Sequence, residues 1–173
     1  LNPLAMRAQR SCHGGIIRVA QHRADNPATV VRRLIEALDK ERIAIGKALG
    51  LSILPDPVMG MRQGYMLENN YGSGYREAPG FLGITAQPRL DHRYINEDVG
   101  YGLVFMSRLG RQVGVATPTI DSIIRLASVL MNRDYAGEAL RTPESLGIGG
   151  LSAEQISRLF KRGKHRATAW HIC

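Results

Sequence analysis

Residues 91–104 read DHRYINEDVGYGLV, setting Asp91, Arg93, Glu97 and Asp98 beside Tyr94 and Tyr101 before the chain turns apolar. An arginine presents a planar fork of donors that matches a carboxylate, which makes Arg93 the candidate binder of a carboxylate ligand. Asp98, five residues on, is expected in the first turn of a helix. A carboxylate there can orient a histidine and stabilise its charged form, the supporting half of an acid–base dyad. A plainer arrangement uses the same residues: Arg93 pairs with Glu97 one turn away, and Asp98 meets only backbone amides at a helix start. The residues alone leave both open.

Little else in the chain carries chemistry. No Gly-x-Gly-x-x-Gly turn follows a strand, and neither a phosphate loop nor a Gly-x-Ser-x-Gly elbow is present. The histidines at 13, 22, 92, 165 and 171 have no metal-ligand spacing, so no metal is expected. Cys12 and Cys173 lie near opposite ends, which suggests neither a disulfide framework nor a metal site. That usage fits a reducing, cytoplasmic setting. No long uninterrupted apolar run indicates a membrane span.

The elements that must position Arg93 and Asp98 read as helices. Asn26-Pro27 opens one over 26–50, with apolar residues from Val31 to Leu49 at helical spacing and Gly50 closing it. Prolines and glycines crowd 51–90 and leave room for two short helices, near 57–68 and 76–84. A helix over 96–113 begins with Asn96, Glu97 and Asp98 as cap and first turn; Gly100 and Gly102 weaken its start and imply close packing or close approach of a ligand. Thr117-Pro118 starts a helix over 117–133, and Thr142-Pro143 a single turn over 142–147. Ser152 and Gln155 form a capping box for a helix over 151–162, with Ile156, Leu159 and Phe160 expected to face inward. With strand signals sparse, the fold class is all-α, a helical bundle.

The 173 residues carry a net charge of +8. Residues 1–25 hold four arginines and one aspartate, residues 158–173 five basic residues and no acid, and together they account for the whole excess. The middle is balanced. Nucleic acid is therefore disfavoured as a partner, because its recognition needs positive charge on a folded face. The organisation expected is an atypical segment over 1–25, a helical substrate-binding domain over 26–162, and a basic, unstructured tail over 163–173. The opening leucine reads as a piece of something longer or a truncated frame.

Three ordered blocks carry a family resemblance: HRYINEDVGYGLV, LGRQVGVATPTIDSIIRLASVLMNRDY and RTPESLGIGGLS. They resemble the C-terminal helical domain of octopine/nopaline (opine) dehydrogenases. His92, Arg93, Tyr94, Glu97, Asp98, Val99, Gly102, Leu103 and Val104 match one family pattern, Gly114, Val115, Thr117 and Pro118 a second, Leu146 and Gly147 a third. With EALDKERIAIGKALGL (36–51), which looks like the family's long first helix, the resemblance covers about residues 26–152.

The resemblance implies a bundle like the C-terminal domain of 6-phosphogluconate dehydrogenase. It implies an oxidoreductase that joins an amino acid to a 2-keto acid through an imine reduced by NAD or NADP. The nucleotide would sit mainly on an N-terminal Rossmann domain absent from this chain. The resemblance gives Arg93 the substrate carboxylate and Asp98 the orientation of a catalytic histidine.

The chain departs from the family where that histidine belongs. After Asn2-Pro3 the position holds Met6, which cannot transfer a proton; His13 could stand in only if the backbone ran differently. Residues 4–25 are off-pattern, and the chain alone is expected to be inactive. The alternative reading is a stand-alone, non-catalytic helical binding module with basic tails.

Overall fold

The computed structural model describes the backbone of residues 27–72, 79, 83 and 88–167. The expected helix at 76–84, apart from residues 79 and 83, lies outside the described residues, as do His13 and Met6. The rest is helical, with no strand among the described residues, as the all-α reading required.

Helix α1 runs Pro27–Ala48. Gly50, at φ +70°, closes it, and the Leu51 amide donates back to the Gly46 carbonyl at 2.9 Å. Helix α2, Asp56–Arg62, is shorter than expected. Gly64 takes φ +77° and the Tyr65 amide donates to the Gly60 carbonyl at 2.8 Å. That turn folds Met66 back over Gly60, where it is buried.

The next helix starts three residues before the expected Asn96. Helix α3 is Arg93–Glu97, followed without a break by a π-helical turn, Asp98–Leu103, and by α4, Val104–Gln112. His92 is the cap: its Nδ1 accepts from the Tyr94 amide at 3.3 Å. Asn96, Glu97 and Asp98 are therefore not a cap and first turn.

Helix α5, Pro118–Met131, starts at the expected Thr-Pro but is capped differently. Thr117 is the cap residue, yet its hydroxyl makes no capping bond. Instead Glu41 of α1 reaches across: its Oε1 accepts from the Thr119 amide at 2.7 Å and its Oε2 from the Ile120 amide at 2.9 Å. An acid from another helix thus meets the positive end of α5. Asn132, left-handed at φ +50°, ends α5.

A short helix not read from the sequence, α6, Tyr135–Glu138, follows. Residues 142–147 form the expected turn, closed by reciprocal bonds of Thr142 and Ser145. The capping box of the last helix is present: Ser152 N–H donates to Gln155 Oε1 at 2.8 Å and Gln155 N–H to Ser152 Oγ at 3.2 Å. That helix, α7, is Ala153–Ala167, so the chain stays helical past residue 162. Ile156 is fully buried, but Leu159 and Phe160 are exposed, contrary to expectation, because only the first turns of α7 meet the core.

Two apolar clusters hold the helices. One joins Val99, Val104, Ile120, Ile124 and Tyr135 across the π turn, α4, α5 and α6. The other joins Ile45 and Leu49 of α1 to Leu109 of α4 and Ile156 of α7. Both clusters grip the unit formed by α3, the π turn and α4, which carries Arg93 and Asp98.

Candidate active site

Asp98 is the first residue of the π turn, whose extra residue is marked by the Val104 amide donating to the Val99 carbonyl. Such turns recur at functional sites because they re-aim the residues around them. Glycines make this one compatible with close packing: a Cβ on Gly100 would sit 3.4 Å from the ring of buried Tyr135. The sequence had placed a close approach there; the partner is Tyr135 of α6.

Arg93 and Asp98 are both exposed, on one continuous helical unit. Arg93 Nε lies 3.9 Å from Glu97 Oε1, with the two side chains 70% and 56% exposed, so the expected i,i+4 pair exists at the edge of contact. An ion pair that open holds its partners by about 0–1 kcal/mol and is readily exchanged for a ligand. The Arg93 guanidinium also lies 5.6 Å from the centre of the Tyr94 ring, which in turn meets His92 edge-on at 4.7 Å. Asp98 differs from the plainer arrangement: among the described residues no amide or side chain bonds to its carboxylate. Its acceptors are open to an incoming group.

Asn96, which the sequence had offered as a cap, fastens this helix to the body. Its Oδ1 accepts from Tyr135 Oη at 2.5 Å and from Arg133 Nη1 at 3.0 Å, and its Nδ2 donates to Asp91 at 3.1 Å. Arg133 is held in turn by Glu138, whose carboxyl this hydrogen bond keeps below the usual carboxylate range. Sequence reasoning missed this network, since Arg133 and Tyr135 stand some 40 residues downstream, in the turn after α5 and in a helix of one turn. A cavity of about 300 Å³ opens beside it, lined by Asn96, Tyr101, Arg133, Tyr135 and Glu138 among others.

A buried carboxylate organises a second polar cluster. Asp39, 6% exposed, accepts from Arg42 Nε at 2.7 Å, the Asp56 amide at 2.8 Å and Tyr71 Oη at 2.6 Å. Burial, reinforced by the Asp39 charge, pushes the Tyr71 hydroxyl well above the ordinary tyrosine range. This cluster ties α1 to the loops at 54–56 and 71. Among the described residues no three His, Cys, Asp or Glu side chains gather as a metal site, and no helix is long and apolar enough to cross a membrane.

In architecture the chain is an all-helical domain that displays an arginine and an unengaged carboxylate on one helical unit. Residues 20–131 match the family described as NAD/NADP octopine/nopaline dehydrogenase, alpha-helical domain, and the chain belongs to that family. The match begins inside the stretch 1–25 that the sequence set apart. The chain is 39% identical over 127 residues to an opine dehydrogenase of Arthrobacter sp. (strain 1C), covering 73% of this chain and 35% of that protein. It is 29% identical over 162 residues to Protein ocs of Agrobacterium vitis, covering 91% of this chain and 45% of that protein. Against vitopine synthase of Allorhizobium ampelinum it is 25% identical over 138 residues, covering 75% of this chain and 35% of that protein. The chain thus spans less than half the length of these curated relatives.

Proposed function

We propose that this chain is the substrate-binding and catalytic helical domain of an opine-type dehydrogenase, which reductively joins an amino acid to a 2-keto acid with NAD or NADP. The observation that carries the reading is the pair Arg93 and Asp98: both exposed, on one helical unit whose register is fixed by Asn96, and neither firmly occupied. Arg93 is the fork for a substrate carboxylate, releasing its loose pair with Glu97 to form two charge-assisted bonds. Asp98 is the acceptor that holds a catalytic histidine in one tautomer and stabilises its protonated form.

The nucleotide does not fit the described residues, which contain no strand leading into a Gly-rich turn and helix. A separate nucleotide-binding domain holds it in this reading, and no step here is routed through it. The chain alone, with Met6 at the family's histidine position, is inactive on this account. Activity returns when Met6→His is combined with an attached nucleotide-binding domain. In that two-domain protein Asp98→Asn lowers kcat at least a hundredfold while leaving KM for the carboxylate substrates within a few-fold. An unchanged kcat would remove Asp98 from the mechanism.

A further inference from the structure

A second cavity, of about 280 Å³, lies between α1, the loop after it, and the start of α4. Ile45, Leu49, Ile53, Phe105 and Met106 make its walls apolar, and Tyr101 and Gly102 of the π turn border it. It therefore adjoins the turn that begins with Asp98. Two arginines stand at its edge, and they differ. Arg42 is spent: it is bound to buried Asp39 at 2.7 Å and to the Leu54 carbonyl at 2.8 Å. Arg141 is exposed, lies over the Phe105 ring with its guanidinium carbon 5.3 Å from the ring centre, and has no ion pair among the described residues. Gly102 leaves the border open, since a Cβ there would meet only the Glu97 carbonyl oxygen, at 4.0 Å.

An apolar hollow with one uncompensated guanidinium at its rim suits a small molecule with an aliphatic body and a negative charge. The same charge opposes a cationic chain, which would enter apolar surroundings beside a like charge. We infer that this cavity binds the aliphatic part of a small carboxylate, with Arg141 meeting the charge. On the reading above, it is the subsite that selects the amino substrate's side chain, favouring aliphatic or acidic chains over basic ones. The binding claim stands by itself; only its role as a subsite rests on that reading.

The test uses the 173-residue chain as it is, without nucleotide. Hexanoate and, separately, hexylammonium are titrated while amide resonances are followed by NMR. Hexanoate is expected to shift the amides of Gly46, Tyr101 and Gly102 saturably in the millimolar range, and hexylammonium to leave them in place. Arg141→Gln, a surface change that leaves the spectrum otherwise intact, weakens hexanoate about tenfold, the loss of one charge-assisted bond. Gly102→Leu fills the mouth and abolishes the shifts. Equal responses to both probes, no saturable shift at Gly102, or full hexanoate affinity in Arg141→Gln overturns the inference. Arg93→Ala separates it from the proposed function. That variant keeps hexanoate binding while lowering kcat/KM for a carboxylate substrate in the two-domain protein, so either idea can fail without the other.

Discussion

Replacing Glu41 by alanine removes the only acceptor that meets the first amides of α5 among the described residues. The Ile120 side of the loss is severe. Ile120 is 0% exposed, so its amide cannot turn to water and is left unsatisfied. An orphaned buried donor costs about 1–3 kcal/mol. Thr119 is half-buried, its amide rehydrates in part, and that side contributes less. The carboxylate's interaction with the helix dipole adds about 0.3–1 kcal/mol. Together Glu41→Ala should destabilise the chain by roughly 2–3 kcal/mol, or lower Tm by roughly 5–10 °C for a domain of this size. Equilibrium urea unfolding followed by far-ultraviolet circular dichroism measures it. Hydrogen exchange at Thr119 and Ile120 locates it, and both amides should exchange much faster. The comparison is Lys40→Ala, which breaks the exposed Glu36–Lys40 pair at 2.8 Å and should leave stability almost unchanged. If Glu41→Ala is no worse than Lys40→Ala, the cross-helix cap is not what holds α5 to α1.

Two further outcomes follow from buried polar groups. Thr117 Oγ1 is buried with no hydrogen-bond partner among the described residues, while its methyl packs on Gly110, so Thr117→Val should stabilise by about 1 kcal/mol in the same unfolding assay. A loss of stability would show that the hydroxyl is bonded after all. Tyr71 has its folded-state pKa raised above the unfolded value by burial and by Asp39, so its contribution is complete below the ordinary tyrosine range and is lost as pH rises through and beyond that range. Tyrosinate absorbance of the wild type and of Tyr71→Phe should differ by one tyrosine that ionises only with alkaline unfolding, and Asp39→Asn should bring that transition to lower pH. If the tyrosine lost in Tyr71→Phe ionises in the ordinary range while the chain stays folded, the Asp39 cluster is misassigned.

Much of the frame was legible because it rests on local signals. Pro27, Gly50, Thr117-Pro118 and the Ser152–Gln155 box each act within a few residues, and the helices start or stop at or close to them. Arg93 and Asp98 stand out in the sequence by type, an arginine fork and a nearby carboxylate; that both are exposed on one helical unit is what the structure adds. What failed was long-range. Asn96 resembles a helix cap by composition, but His92 takes that role, and Asn96 is held instead by Arg133 and Tyr135. Glu41 looks like a solvated residue on a charged helix until α5 is laid against it. The π turn has no sequence period of its own; its sign was the pair Gly100 and Gly102, read as close packing without a partner. Leu159 and Phe160 kept helical spacing with Ile156 yet met no core, because spacing defines a face and not what covers it.

The central claim is that Arg93 grips a substrate carboxylate. Its most direct test is steady-state NAD(P)H oxidation, with an amino acid and a 2-keto acid, by this chain joined to a nucleotide-binding domain and carrying Met6→His. Arg93→Ala should raise KM for a carboxylate substrate or lower kcat/KM by roughly 10- to 150-fold, as the loss of about 1.5–3 kcal/mol of charged hydrogen bonding requires. KM for NAD(P)H should be unchanged. Unaltered amino-acid and keto-acid kinetics in a well-folded Arg93→Ala protein would contradict the account.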